Sequence, residues 1–333
     1  MKLAIHTEQM ASWYINIGLK NAFENLGHEV VLWDDSKKSA FDFFNQNKPD
    51  ILWSQGYNLS RAEIKCINEL PNMKVILKVG TWGTINKESD VREYEILMAS
   101  EEEKEKVASI QNTNRLFLFN YHSPSYNELI LGEWQNLGYN IFSMAPVADI
   151  YSFYPDYEER YASDIVYCGG YWPYKGKNLN RYILPLCNPV GKYNIKIFGN
   201  QHWPVPQYCG YARDETIRKM MSSAKIVPAI HESQSNRYGM EVLSRVFNAI
   251  ACKTCVISDY VEALHKDFFP NKEILMLDNP SDYHDAIDYF LKNKDERINY
   301  INKLYDIVIH EHTFDVRVKQ IIDMLLFDRE YHV

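Results

Sequence analysis

Short apolar runs alternate with stretches of helical spacing from the first residues onward. Residues 3–5 (Leu3, Ala4, Ile5) are a brief apolar run, and residues 15–26 place apolar side chains every three or four positions. Gly27 then stands where a left-handed cap would end a helix. Residues 28–33 read as a second strand. Strand, helix, glycine and strand with tight connections make a βαβ unit, and such units build parallel sheets. Runs at 51–53, 75–79 and 116–119 predict three more strands, and the charged run "EEEKEK" at 101–106 predicts a solvated helix face.

The pattern breaks at 145–155, "APVADIYSFYP", where two prolines and the loss of period mark a linker. Alternation restarts afterwards, with strands at 165–168, 193–198, 225–230 and 254–258 and helices at 213–222 and 240–251. The expected fold class is α/β: two doubly wound Rossmann-like domains, 1–150 and 151–333, facing a central cleft, with the last helix free to pack back on the first domain.

Composition narrows the function classes. The chain has 333 residues and a formal net charge of −8. Residues 1–150 hold 14 Lys/Arg against 20 Asp/Glu, so that half contributes 14 − 20 = −6. The totals therefore do not describe a general polyanion-binding surface. No run of about 18 apolar residues exists to span a membrane. The opening "MKLAIHTEQM" lacks the apolar core of a secretory signal, which predicts a cytoplasmic protein. Six scattered cysteines do not make a disulfide scaffold. The lone Cys252-Lys-Thr-Cys255 lacks the second pair that a zinc site needs and reads as two small buried residues, so no metal is expected.

In open α/β sheets ligands bind beyond the carboxyl ends of the strands, which selects loops for inspection. The first is Gly169-Gly170-Tyr171-Trp172-Pro173-Tyr174-Lys175-Gly176-Lys177, leading to Arg181. Glycines let a backbone approach a ligand, and nearby cations favour phosphate. The loop matches neither a Walker motif nor a GxGxxG fingerprint, and by composition alone a solvated loop is the plainer reading. The second is Gly199-Asn200-Gln201-His202-Trp203-Pro204, in which Trp203 suits either a base platform or its own core. The third, residues 230–239, carries Asn236 and Arg237 and leads to Glu241, Arg245 and Asn248. In the first half His6 and Glu8 end a strand and His122 follows one, the positions from which an acid or base is offered.

Four segments of the second half, in order, resemble the CgeB-like (spore maturation protein-like) group of GT-B glycosyltransferases. They are "DIVYCGGYWPYKGKNLNRYILPL" (164–186), "IKIFGNQHW" (195–203), "SRVFNAIACKTCVISD" (244–259) and "HEHTFDVRVKQII" (310–322). The first half resembles GT-B domains in general through "GLKNAFENLGHEVVLWD" (18–34). Two departures stand out. The Glu that holds the donor ribose in related enzymes is Asn248 here, and the following Gly is Lys253.

The resemblance implies a nucleoside diphosphate sugar, a UDP-sugar above all, as co-substrate, with no further cofactor. It assigns Gly169, Gly170, Lys175, Lys177, Arg181, Gly199, Trp203, Asn236, Arg237, Glu241, Arg245 and Asn248 to the donor. His6, Glu8 and His122 fall on the acceptor side as candidate catalytic groups. No Asp-x-Asp motif occurs, which fits metal-independent transfer. The acceptor expected is a glycan, a protein hydroxyl or a hydroxymethylated DNA base, the last as in viral DNA-modifying enzymes. A nucleotide-sugar epimerase and a non-catalytic nucleotide-sugar binder are the competing readings; incubating donor alone separates them.

Overall fold

The computed structural model describes residues 1–7, 13–87 and 97–327. It divides into two compact units: Met1–Ala145 with Phe314–Val333, and Pro146–Thr313.

The first unit runs β1 (Lys2–His6), α1 (Trp13–Asn25), β2 (Glu29–Trp33), α2 (Ala40–Asn47), β3 (Ile51–Gln55), α3 (Arg61–Glu69), β4 (Lys74–Lys78), α4 (Glu101–Ala108), β5 (Leu116–Asn120), α5 (Asn127–Asn136) and β6 (Asn140–Ser143). The six strands are parallel in the order β2-β1-β3-β4-β5-β6. Inner strands β3 and β5 are buried at every position, as expected where helices cover both faces, whereas edge strand β2 is largely open. Gly27 caps the first crossover helix at φ +82°, with its N–H donating to Glu24 and that of His28 to Phe23. Helix α3 opens on a capping box: the Ser60 hydroxyl accepts from the Glu63 N–H, and the Glu63 carboxylate accepts from the Ser60 N–H.

The second unit runs β7 (Ser163–Cys168), α6 (Pro173–Tyr182), β8 (Ile195–Phe198), α7 (Asp214–Ser223), β9 (Ala224–Ala229), α8 (Ser233–Tyr238), α9 (Ser244–Ala251), β10 (Cys255–Asp259), β11 (Met276–Leu277), α10 (Pro280–Lys292) and α11 (Lys294–Glu311). Its parallel order is β11-β10-β9-β7-β8. Both sheets thus place the second strand on one side of the first and the third strand on the other. That arrangement sets a topological switch point at β1/β3 in one unit and at β7/β9 in the other. Helix α12 (Phe314–Phe327) belongs to the first unit and packs on α1. A Cβ on Gly18 would stand 2.3 Å from the Phe314 ring, so glycine is what permits this close crossing.

Two details differ from the sequence reading. The helix expected over 240–251 begins only at Ser244, because Glu241 takes a left-handed φ of +50° that no helix interior accepts. The run at 101–106 is not uniformly solvated. Glu103 is 1% exposed, and its Oε1 accepts from the Gly80 N–H at 3.0 Å. Glycine at 80 makes room for that carboxylate, since a Cβ there would meet Glu103 Oε2 at 2.7 Å. Burial raises the Glu103 pKa, against the opposing pull of the Gly80 N–H and nearby lysines.

Among the described residues no helix is long and apolar enough to cross a membrane. Cys252 and Cys255 are buried thiols whose pKa burial pushes up to about 12.

Candidate donor and acceptor sites

At the carboxyl ends of β7 and β8 two glycine loops meet beneath a cation from α9. The β7–β8 register pairs Cys168 with Phe198, which sets Gly169 beside Gly199. These glycines touch backbone to backbone: a Cβ on Gly199 would lie 2.4 Å from the Gly169 carbonyl oxygen. Gly170 is equally confined, since a Cβ there would meet Asn200 Oδ1 at 2.6 Å and Trp172 Nε1 at 2.7 Å. Over this floor stands Arg245, from the first turn of α9. Its guanidinium lies 4.5 Å from the centre of the Tyr167 ring, and Nη2 would be 2.6 Å from a Cβ on Gly169. Arg245 Nη1 is buried without a hydrogen-bond partner. A half-buried guanidinium with unspent donors above a glycine-lined strand end is built to receive an anion.

The other residues expected at the donor divide three ways. Lys175, on the first turns of α6, is ion-paired with Glu232 at 2.6 Å, both side chains being less than a fifth exposed. Asn236 spends its amide inside the protein, donating to the Tyr260 carbonyl at 2.7 Å and accepting from Asn178. Asn248, one turn beyond Arg245, accepts from the Asp149 N–H at 3.1 Å and so fastens the start of this unit to α9.

Trp203 must be reassigned. It is fully buried, donates from Nε1 to the Gly169 carbonyl at 2.9 Å and meets the Tyr167 ring edge-on. A ring with no exposed face cannot stack a nucleobase; Trp203 supports the glycine loop from beneath. Lys177 and Arg181 are exposed, and Arg181 occupies the last turn of α6, about 9 Å along the helix from Lys175 at 1.5 Å per residue. Neither makes a hydrogen bond or ion pair with the residues around Arg245 among the described residues. Arg237 and Glu241 are likewise on the surface. Because Glu241 precedes α9, it does not form the four-residue helical pair with Arg245 that the spacing suggested.

A buried His–Asp pair was missed by the sequence reading. His231 follows β9, is fully buried, and places Nδ1 2.7 Å from Asp259 Oδ1 at the end of β10. The His231 N–H also donates to that carboxylate, at 3.1 Å. The only sequence signal was that both polar residues stand just past apolar strands.

In the first unit His6 occupies the β1/β3 switch point. It is 4% exposed and stacked on Trp33 with 4.3 Å between ring centres. Nδ1 lies 3.0 Å from Ser54 Oγ and 3.5 Å from Glu63 Oε1, and Nε2 lies 3.7 Å from Asp35 Oδ1. Glu63 is buried and Asp35 is open to water. Ser54 Oγ is the hydrogen-bond partner of Nδ1, and the two carboxylates stand one on each side of the ring, Glu63 Oε1 without a hydrogen bond of its own. His122 does not suit the part expected of it. It is fully buried, and its ring nitrogens face Asn127 Oδ1 at 2.7 Å and the Asn120 carbonyl at 3.1 Å. Burial pushes its pKa down to about 4, so it is a neutral structural group and not a presented base. Glu8 lies outside the described residues.

Solved structures resemble this chain over nearly its whole length. An α-glucosyltransferase in complex with UDP superposes with a TM-score of 0.66 at 13% identity, covering 98% of this chain and 99% of that one. An α-glucosyltransferase in complex with UDP-glucose and DNA containing an abasic site gives the same figures. T4 phage BGT in complex with UDP and Mn2+ gives a TM-score of 0.58 at 13% identity, covering 98% and 100%. The chain therefore has the GT-B fold, with two parallel-sheet α/β units. Residues 181–323, within its second unit and α12, match the model of a family described as glycosyl transferase-like. No curated protein matches.

Proposed function

We propose that this chain is a glycosyltransferase that takes a sugar from a UDP-sugar held by its second unit, and that its acceptor is a hydroxymethylated base in DNA. The observation that carries the donor half is Arg245: a guanidinium with an unused buried donor, set over the Gly169 backbone at a sheet switch point. The glycosyl transferase-like match and the UDP complexes of the structural neighbours support the same reading. So does the resemblance to the CgeB-like group.

In the proposed reaction the bond from the anomeric carbon to the diphosphate breaks and its electron pair leaves with the diphosphate. Arg245, and Lys175 once freed from Glu232, neutralise that charge with charge-assisted hydrogen bonds, so transfer is metal-independent. The acceptor oxygen bonds to the anomeric carbon as its proton passes to His6 Nε2, with Glu63 and Asp35 stabilising the imidazolium. Asn248 offers an uncharged amide where related enzymes carry the ribose carboxylate, and Glu241 is the nearer acid in sequence. DNA is the favoured acceptor because neighbours that match 98% of this chain in fold were solved with it.

The test is direct. Purified protein is incubated with UDP-glucose and other UDP-sugars, with EDTA, and with duplexes with or without hydroxymethylated bases; DNA mass and released UDP are read together. A sugar-sized mass gain on modified DNA alone is expected. UDP release with no acceptor modified, or an epimerised donor, would remove the DNA reading, and absence of any UDP-sugar binding would remove the donor reading.

A further inference from the structure

His231 has one ring nitrogen committed and one unspent. Asp259 can only accept, so the proton sits on Nδ1 and Nε2 carries a lone pair in the neutral ring. That Nε2 is buried and has no hydrogen-bond partner. Leaving a buried polar atom unpaired is costly, so a filled apolar position would be the more stable choice if packing were all that mattered.

Its location is not arbitrary. Counting on from the Ile165–Ile226 register, Gly169 stands level with Ile230, and strands neighbour one another at about 4.8 Å. His231 is therefore next to the row that carries Gly169 and Arg245, on the partner strand of the same switch point. Its orientation is held from three sides. Asp259 takes the ring and the backbone N–H, Asn236 Nδ2 donates to Asp259 at 3.3 Å, and Asn178 of α6 donates to the His231 carbonyl at 3.1 Å. One residue along, the Lys175–Glu232 ion pair ties the same loop to α6.

We infer that His231 Nε2 is a fixed acceptor for a hydroxyl of the donor's sugar, and that Asp259 is the group that holds it in the accepting tautomer. The inference rests on the donor reading above and adds a residue that recognises the sugar and not the nucleotide. The lone pair is covered in this structure.

Two substitutions separate this from a packing role. In His231→Asn the amide nitrogen falls near the Nδ1 position, keeping a donor for Asp259 while deleting Nε2. In His231→Gln the amide reaches the Nε2 position instead. Affinities for UDP and for UDP-glucose are measured by calorimetry on the full chain, with melting temperature as the folding control. The expected result is that His231→Asn binds UDP within twofold of the parent but UDP-glucose about tenfold more weakly, and that His231→Gln recovers most of that loss. Equal losses for both ligands, or no loss for either in a folded variant, would overturn the inference while leaving the donor reading intact. A parent protein that binds neither ligand would overturn both.

Discussion

The two sheets share one strand order around their switch points yet present opposite chemistry there. At the ends of β7 and β8 the floor is bare glycine backbone, and over it stands a guanidinium with one nitrogen unpaired. At β1/β3 the site is a histidine packed on tryptophan and flanked by two carboxylates. Topology fixes where a ligand can enter; the side chains decide which ligand. A diphosphate suits the first and is repelled by the second, whereas a hydroxyl that must lose a proton suits the second.

The contrast can be broken most sharply at His6. His6→Gln should lower turnover about 100-fold or more, the range for losing a general base, with UDP affinity unchanged; a matching fall in UDP affinity would erase the division of labour. Next is Arg245→Ala, expected to weaken UDP binding by about 3 kcal/mol, near 100-fold, with little change in melting temperature, as measured by calorimetry and thermal denaturation. An unchanged affinity in the folded variant would remove the anion site.

A third test concerns how closed the first unit is. Because burial lowers the His122 pKa to about 4 from 6.5, the unfolded chain takes up the proton first as pH falls. The stability that this neutral ring contributes is complete above about pH 6.5 and is lost between there and pH 4, about 2 kcal/mol by pH 5. Urea denaturation of His122→Gln across that window should show a shallower acid loss than the parent. The smallest expected effect is Gly169→Ala. Its Cβ would collide with Arg245 Nη2, pushing the guanidinium aside and costing about tenfold in UDP affinity; an unchanged affinity would show that the close approach is incidental.

The strand positions and the glycine loop were readable because period and turn chemistry are local. Arg245 was singled out by its place after a strand-end loop, assigned to the donor by the family resemblance, and then placed by geometry. What escaped had no local signature. Glu103 meets Gly80 from 23 residues away, and His231 meets Asp259 across 28. In each case a polar residue inside or beside an ordinary pattern acquires its meaning only from a neighbouring strand. Trp203 failed for the converse reason: a tryptophan after a strand looks the same in sequence whether its ring faces a ligand or the interior.

The chain's path has a consequence for its biogenesis. The second unit is an insertion: the first unit is interrupted after Ala145 and resumes at Phe314, and the two crossings are drawn together where the Ala148 N–H donates to the His312 carbonyl at 2.9 Å. At roughly 5–20 residues per second, a ribosome needs on the order of ten to thirty seconds to traverse the insert. Throughout that interval the Gly18 side of α1 has been synthesised but lacks the Phe314 helix that covers it. The amino-terminal half thus cannot complete its packing at Gly18 until the whole insert has been made.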